Sequence, residues 1–330
     1  MPLTAPVFDI QTLATRDGEG LRTLVFLQGC PLRCAWCANP EGQSAAPQLL
    51  WHGEKCTGDL ACVSVCSKGA VTAVKGRASA AELAPRAKPG APAAGGIKKT
   101  ARPRFKRRLC DECGDHACVA RCPAGALSLA GRPLTPDGLF EAVRKDIRLF
   151  WNSGGGVTFG GGEPLLHAEF VAETADKLLA YGVGTVIETC GEWDWAAVAP
   201  ALECAERIYF DVKTLDTEEH RRLTGRTNTT ILANLRRLGK TMASKIIVSL
   251  PIVPGVGDTL EHARGAGRFL ASLGLSKARL LPYHRLGVGK YASLGRRYPH
   301  ARWDHPVAAG LIVEMRGVLE SCGLETTIEE

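Results

Sequence analysis

The chain has 330 residues, 45% of them apolar and 23% charged, with a formal net charge of +7. This composition excludes disorder of the whole chain, and no apolar run approaches the roughly 18 residues of a membrane span. The N-terminus carries Asp9, Asp17 and Glu19 and does not read as a signal peptide, so a cytoplasmic protein is expected, whose thirteen cysteines point to metal ligation or redox chemistry rather than disulfides.

The first predicted element is a buried strand over residues 21–28, "LRTLVFLQ", a β-rich apolar run that Gly29 stops. Directly after it comes Cys30-Pro-Leu-Arg-Cys34-Ala-Trp-Cys37. Three thiolates on one loop suit three corners of a 4Fe–4S cube and leave the fourth iron open to a substrate. Structural zinc would want a fourth ligand close by, and this loop has none.

Residues 51–131 differ in character. They are cysteine-rich, contain the stretch "APRAKPGAPAAGG" and show little helical periodicity. They also hold an internal repeat: "ACVSVCSKGAVTA" from Ala61 and "ACVARCPAGALSL" from Ala117. Two copies of one cysteine-bearing unit predict a small pseudo-symmetric domain inserted into a larger fold. The run Cys110, Cys113, Cys118, Cys122, Pro123 nearly completes the pattern of bacterial two-cluster ferredoxins, in which the fourth cysteine of each run ligates the other cluster. The earlier run has Cys56, Cys62 and Cys66, with Asp59 where a cysteine is expected and Ser67 in place of proline. Crossing then gives one cluster Cys56, Asp59, Cys62 and Cys122, and the other Cys110, Cys113, Cys118 and Cys66. A carboxylate is a harder donor than a thiolate and holds iron less firmly. Between Lys75 and Arg108 there are eleven Lys or Arg and one acidic residue, Glu82, which leaves the rest of the chain near −3. That segment reads as a solvated loop joining the repeat halves.

From Leu134 onward helices and strands alternate. Thr135-Pro136-Asp137 opens a helix through about Phe150. Strands are expected at 156–160, 183–188, 207–212, 245–251 and 278–282, with helices such as 168–181 and 260–273 between them. With the first strand this makes six β/α units: a partial (β/α)6 TIM-like barrel built from residues 1–50 and 132–330, with its site at the strands' C-terminal ends. At those ends lie Gly160-Gly161-Gly162-Glu163-Pro164, then Glu188 and Thr189, then Asp211 and Lys213. Cys190 and Cys204 read as structural thiols.

The segment "RDGEGLRTLVFLQGCPLRCAWCANPEGQ" resembles the opening of the glycyl-radical-enzyme activases in the radical S-adenosylmethionine (SAM) superfamily, of the pyruvate formate-lyase activase type. Their usual form reads D-G-P-G-I-R before the cysteine loop. "SGGGVTFGGGEPLL" is similar to their G-G-E-P motif, with Gly160 in place of the common serine, and "IETCG", "FDVKTLD", "LPIVPGVGD" and "LLPYHRLGVGKYASLG" extend the likeness over nearly the whole chain. The resemblance implies an oxidoreductase of anaerobic metabolism that uses SAM and three 4Fe–4S clusters, one binding SAM and two auxiliary in a ferredoxin-like insert. It implies that Cys30, Cys34 and Cys37 hold the SAM cluster and that Trp36 lies beside the adenine. Gly161, Gly162 and Glu163 would hold the SAM amino group. Glu188, Thr189, Asp211 and Lys213 would meet its carboxylate, its ribose or nearby ions, with Lys213 counted in the catalytic set.

The implied reaction is reductive cleavage of SAM to a 5′-deoxyadenosyl radical, which takes a hydrogen atom from a glycine of a partner glycyl radical enzyme. A flavodoxin or ferredoxin would supply electrons to a monomeric activase, with neither nucleic acid nor membrane involved. Other readings are a radical SAM maturase or small-molecule enzyme with auxiliary clusters, an electron-transfer ferredoxin, or a zinc-dependent nucleic-acid binder. The G-G-E-P segment and the six β/α units argue against the ferredoxin.

Overall fold

The computed structural model describes residues 2–75, 101–299, 303 and 305–329. Most of the basic stretch, residues 76–100, lies outside the described residues.

In chain order the structure begins with strands β1 (Ala5–Ala14), β2 (Arg22–Leu27) and β3 (Gln48–Trp51), helix α1 (Ala61–Ser64), and strands β4 (Val71–Lys75) and β5 (Ala101–Phe105). Helices α2 (Arg107–Asp111) and α3 (Ala117–Arg121) follow, then β6 (Leu127–Ala130), β7 (Arg132–Leu134), α4 (Pro136–Arg144) and α5 (Ile147–Ser153). Next come β8 (Gly156–Gly161), α6 (Ala168–Leu179), β9 (Gly184–Thr189), α7 (Trp195–Cys204), β10 (Arg207–Asp211), α8 (Thr217–Thr224) and α9 (Thr229–Thr241). The chain closes with β11 (Ile246–Ile252), α10 (Leu260–Ser272), β12 (Lys277–Pro282), α11 (Val288–Ser293), α12 (Ala309–Ser321) and β13 (Glu325–Ile328).

One sheet of nine strands runs β13-β12-β11-β10-β9-β8-β2-β1-β7. From β2 through β8 to β13 every pairing is parallel, while β1 is antiparallel to both its neighbours. From β8 to β13, neighbours in the sheet are neighbours in sequence. This is the singly wound α/β order of a partial TIM-like fold, left open between β7 and β13. No helix among the described residues is long and apolar enough to cross a membrane.

The two sheet faces differ chemically, as a period of two requires. Val25, Phe159, Ile187, Ile208, Phe210 and Val248 point to one face and pack with helix residues such as Leu139, Phe170, Leu202, Leu235 and Leu270 in one apolar core. Among the alternate positions are buried polar groups: Arg22 is completely buried and donates to Thr158 Oγ1 (2.7 Å), while Arg279 donates to Ser249 Oγ (2.7 Å).

All six expected parallel strands are present. The single helix expected over 136–150 is instead two, α4 and α5, because Asp146 at the break is buried and accepts a hydrogen bond from Thr23 Oγ1 (3.0 Å) on β2. Strands β1, β7 and β13 were not expected. β3 pairs with β6 and β4 with β5, so the cysteine-rich lobe starts at Gln48, a few residues before the expected boundary.

Candidate active site

The three-cysteine loop follows β2 and is held by main-chain bonds from distant segments. At its base Gly29 N–H donates to the Gly42 carbonyl (2.8 Å) and Cys30 N–H to that of Gln43 (3.3 Å). At its crown Arg33 N–H donates to the Thr224 carbonyl (2.7 Å) and Ala35 N–H to that of Leu223 (3.0 Å), both near the end of α8. Tyr291 Oη on α11 donates to the Cys37 carbonyl (3.1 Å). Such bonds do not depend on the loop's side chains, so the thiols are presented by the fold.

Burial, together with the neighbouring thiols, pushes the Cys34 thiol up to about 12 and Cys37 up to about 11. Cys30 moves the other way, because the buried Cys190 thiol donates to it. Two of the three would therefore be neutral at pH 7 unless a cation replaced their protons. That is the donor set an iron–sulfur cluster suits: soft sulfur, three-fold, crowded and short of positive charge. Among the described residues, no three Cys, His, Asp or Glu side chains close to the spacing of a single metal ion.

The expected SAM-contacting residues gather at the same strand ends. Lys213 Nζ donates to Asp211 Oδ2 (2.6 Å) just past β10. Burial alone would lower the Lys213 pKa, but Asp211 and the nearby Cys34 outweigh it and raise it, so the ammonium stays charged beside the cysteines. Glu188 faces the polar side of the sheet and pairs with Arg279 (2.8 Å). Trp36 is half-buried among Leu223, Val253, Val256 and Tyr283, with the Trp303 ring 6.3 Å away.

Glu163 and the glycines are used differently from the expectation. The Glu163 carboxylate is 0% exposed and points inward, where it accepts from Thr189 Oγ1 (2.9 and 3.0 Å), Cys190 N–H (2.7 Å) and Leu165 N–H (3.1 Å). Burial raises its pKa, against the pull of these donors. A Cβ on Gly162 would collide with the carbonyls of Gly29 and Gly42, the base of the cysteine loop. The G-G-E-P turn thus interlocks with that loop through backbone, and what residues 161–163 can offer an ammonium is main-chain oxygen. Sequence reasoning also missed Arg279, Tyr291 and the contact of Cys190 with Cys30, since no spacing signals a partner 30 to 254 residues away.

In the lobe, the two repeats are built alike. Leu60 and His116 both take left-handed backbone (φ 61° and 45°) before α1 and α3. Asp59 accepts from Ala61 N–H (2.9 Å) as Asp115 accepts from Ala117 N–H (3.2 Å). Cys66 Sγ accepts from Ala70 N–H (3.2 Å) as Cys122 Sγ accepts from Ala126 N–H (3.3 Å). The thiol of Cys110 feels Cys118 and Cys66, and that of Cys62 feels Cys56 and Cys118. Asp59 is exposed, and Thr57 Oγ1 also donates to its carboxylate (2.6 Å). The structure therefore gives Asp59 the turn-capping geometry that Asp115 has in the other repeat.

Two family profiles match this chain: the radical SAM superfamily over residues 120–270, and a 4Fe–4S single cluster domain over residues 16–64, which takes in the three-cysteine loop. The indoleacetate decarboxylase activating enzyme of Tractidigestivibacter scatoligenes is 36% identical over 324 residues, covering 96% of each chain. The chain belongs to the glycyl-radical-enzyme activating enzymes of the radical SAM superfamily. Two further members of that family come from Oleidesulfovibrio alaskensis. Its isethionate sulfite-lyase activating enzyme is 37% identical, covering 90% of this chain and 89% of that one. Its choline trimethylamine-lyase activating enzyme is 36% identical, covering 89% and 88%. As an activating enzyme of this family, the chain is an iron–sulfur oxidoreductase that acts through SAM on a glycyl radical enzyme.

Proposed function

We propose that Cys30, Cys34 and Cys37 hold a 4Fe–4S cluster with one open iron, against which SAM binds. Bound there, cluster and SAM together supply a 5′-deoxyadenosyl radical, and the hydrogen it takes comes from a backbone glycine of the partner enzyme. The chain's own residues bind, orient and shield. Lys213 keeps a positive charge beside Cys34 for the SAM carboxylate, with Asp211 fixing its position. The oxygens of the Gly161–Glu163 turn face the amino group, and Thr189, locked by Glu163, keeps that turn in register with β9. Trp36 and Trp303 wall the adenine side. The observation that carries this reading is the trio of mutually crowded, half-buried thiols beside one charged lysine.

The lobe is read as a ferredoxin-like insert with two auxiliary clusters that take electrons from a flavodoxin or ferredoxin. Cys113 supports an entry point there, since it lines an open cavity of about 680 Å3 between β1 and the lobe. The relatives' names point to different partners, two of them from one organism at nearly equal identity, so similarity selects no particular glycyl radical enzyme. The protein is read as a cytoplasmic monomer.

The test is anaerobic reconstitution with iron and sulfide, followed by reduction in the presence of SAM and a partner encoded beside this gene. About twelve irons per chain are expected, with 5′-deoxyadenosine released and a glycyl radical signal on the partner. Cys34→Ala should abolish 5′-deoxyadenosine formation while the auxiliary cluster signals persist. Retained cleavage in that variant would discard the site, and about four irons would remove the auxiliary clusters.

A further inference from the structure

Helix α11 and the three residues after it touch both cysteine sites at once. Towards the barrel, Tyr291 Oη bonds the Cys37 carbonyl (3.1 Å), Lys290 pairs with Glu41 (2.8 Å), and Arg296 donates to the Pro40 carbonyl (3.1 Å). Towards the lobe, the same segment receives Arg107, which donates to the Ser293 carbonyl (2.9 Å) and to the Leu49 carbonyl on β3 (2.6 Å). Arg107 is the first residue of α2, three before Cys110. Nothing about local turn geometry demands this arginine, because the bonds it makes lie 58 and 186 residues away.

The fit around the guanidinium is close. Gly295 has φ +67°, and a Cβ there would stand 2.7 Å from Arg107 Nε. A glycine is required at this point both for the backbone conformation and for the arginine to pass. The segment from Lys290 to Arg296 is thus a rigid spacer, with main-chain or charge contacts to the Cys37 side and to the Cys110 side.

We propose that α11 is a bracket that fixes the lobe's Cys110 side at a set distance from the Cys30–Cys37 loop, with Arg107 as the positioning residue. This rests on the reading that both sites carry clusters, and it gives the electron route a direction. One electron leaves the Cys110 side and arrives at the three-cysteine loop, and a reduced flavodoxin or ferredoxin replaces it from outside. Electron transfer through protein falls steeply with distance, so a bracket of this kind controls rate without touching SAM.

Two variants test this, Arg107→Gln and Gly295→Ala, the second displacing the arginine without substituting it or any cysteine. Both should keep the wild-type iron content and visible spectrum, and both should cleave SAM normally with dithionite, a small reductant that needs no relay. With reduced flavodoxin as donor, cleavage should fall by roughly one to two orders of magnitude, the scale at which a misplacement of about 1 Å disturbs a geometry-dependent step. Hydrogen exchange on the iron-loaded variants should quicken over residues 37–43 and 288–296. Wild-type flavodoxin-driven rates with unchanged exchange would overturn the bracket, and so would loss of iron from Arg107→Gln, which would make that residue part of a cluster site. If the wild-type protein cleaves no SAM with either reductant, the activase chemistry fails, while the exchange comparison still decides the bracket.

Discussion

The two cysteine-bearing regions are held in opposite ways. The three-cysteine loop hangs from a large aliphatic core and is pinned by the carbonyls of Gly42, Leu223 and Thr224 and by the Tyr291 hydroxyl. The lobe is built from short local turns, and its own core is small: Leu49, Ala70, Val71 and Leu127, with Cys62, Cys110 and Cys118 buried among them. Nearly half of that core is sulfur. One loop is therefore shaped by a large core, whereas the lobe has little apolar core of its own to stabilise its fold.

The strongest way to break this contrast is to remove iron from the reconstituted protein. Hydrogen exchange protection should vanish across residues 48–75 and 101–130 and persist in β8 to β12. A lobe that stays protected without iron would show that its aliphatic residues suffice. Next in size is Glu163→Ala, which strips a buried acceptor from Thr189 Oγ1, Cys190 N–H and Leu165 N–H. Leaving those donors without a partner should cost about 3 kcal/mol in a denaturant titration of the barrel. A loss below about 1 kcal/mol would mean that the turn is held by the glycine contacts alone.

A smaller effect sharpens the comparison inside the lobe. Asp59→Ala and Asp115→Ala should each lower the lobe's melting midpoint by a few degrees if both aspartates cap equivalent turns. Iron lost from Asp59→Ala and kept in Asp115→Ala would instead make Asp59 a ligand. The smallest change expected is at Asp17, whose pKa is raised to about 6 by burial and by Glu188. The folded chain holds that proton more tightly than the unfolded one, whose value is near 3.8, so stability present at low pH is lost as pH rises from about 4 to 6. Asp17→Asn should flatten that fall in thermal melts and leave the protein about 1 to 2 kcal/mol more stable at pH 7.

What could be read from sequence follows the same division. The parallel strands announce themselves as apolar runs because both faces are covered, and the cysteine trio because its ligands lie within eight residues of one another. The repeat was visible for the same local reason. β13 escaped notice because four half-exposed residues carry little pattern, and β1 because its pairing with β2 slips register twice. The inward turn of Glu163 was hidden because its partners, Thr189 and Cys190, sit on the next strand. Asp59 was misleading in another way: spacing aligned it with a cysteine, while its hydrogen bonds align it with Asp115.

The position of the lobe in the chain has a consequence for biogenesis. All seven of its cysteines have been synthesised by residue 122, whereas Tyr291, which braces Cys37, follows that cysteine by 254 residues. At roughly 10 residues per second on a ribosome, the two events are separated by some tens of seconds. The lobe's chain is complete while the barrel is still being made, and the three-cysteine loop reaches its final shape only near the end of translation. A product truncated before α11 would carry every cysteine of the lobe and lack the brace on Cys37.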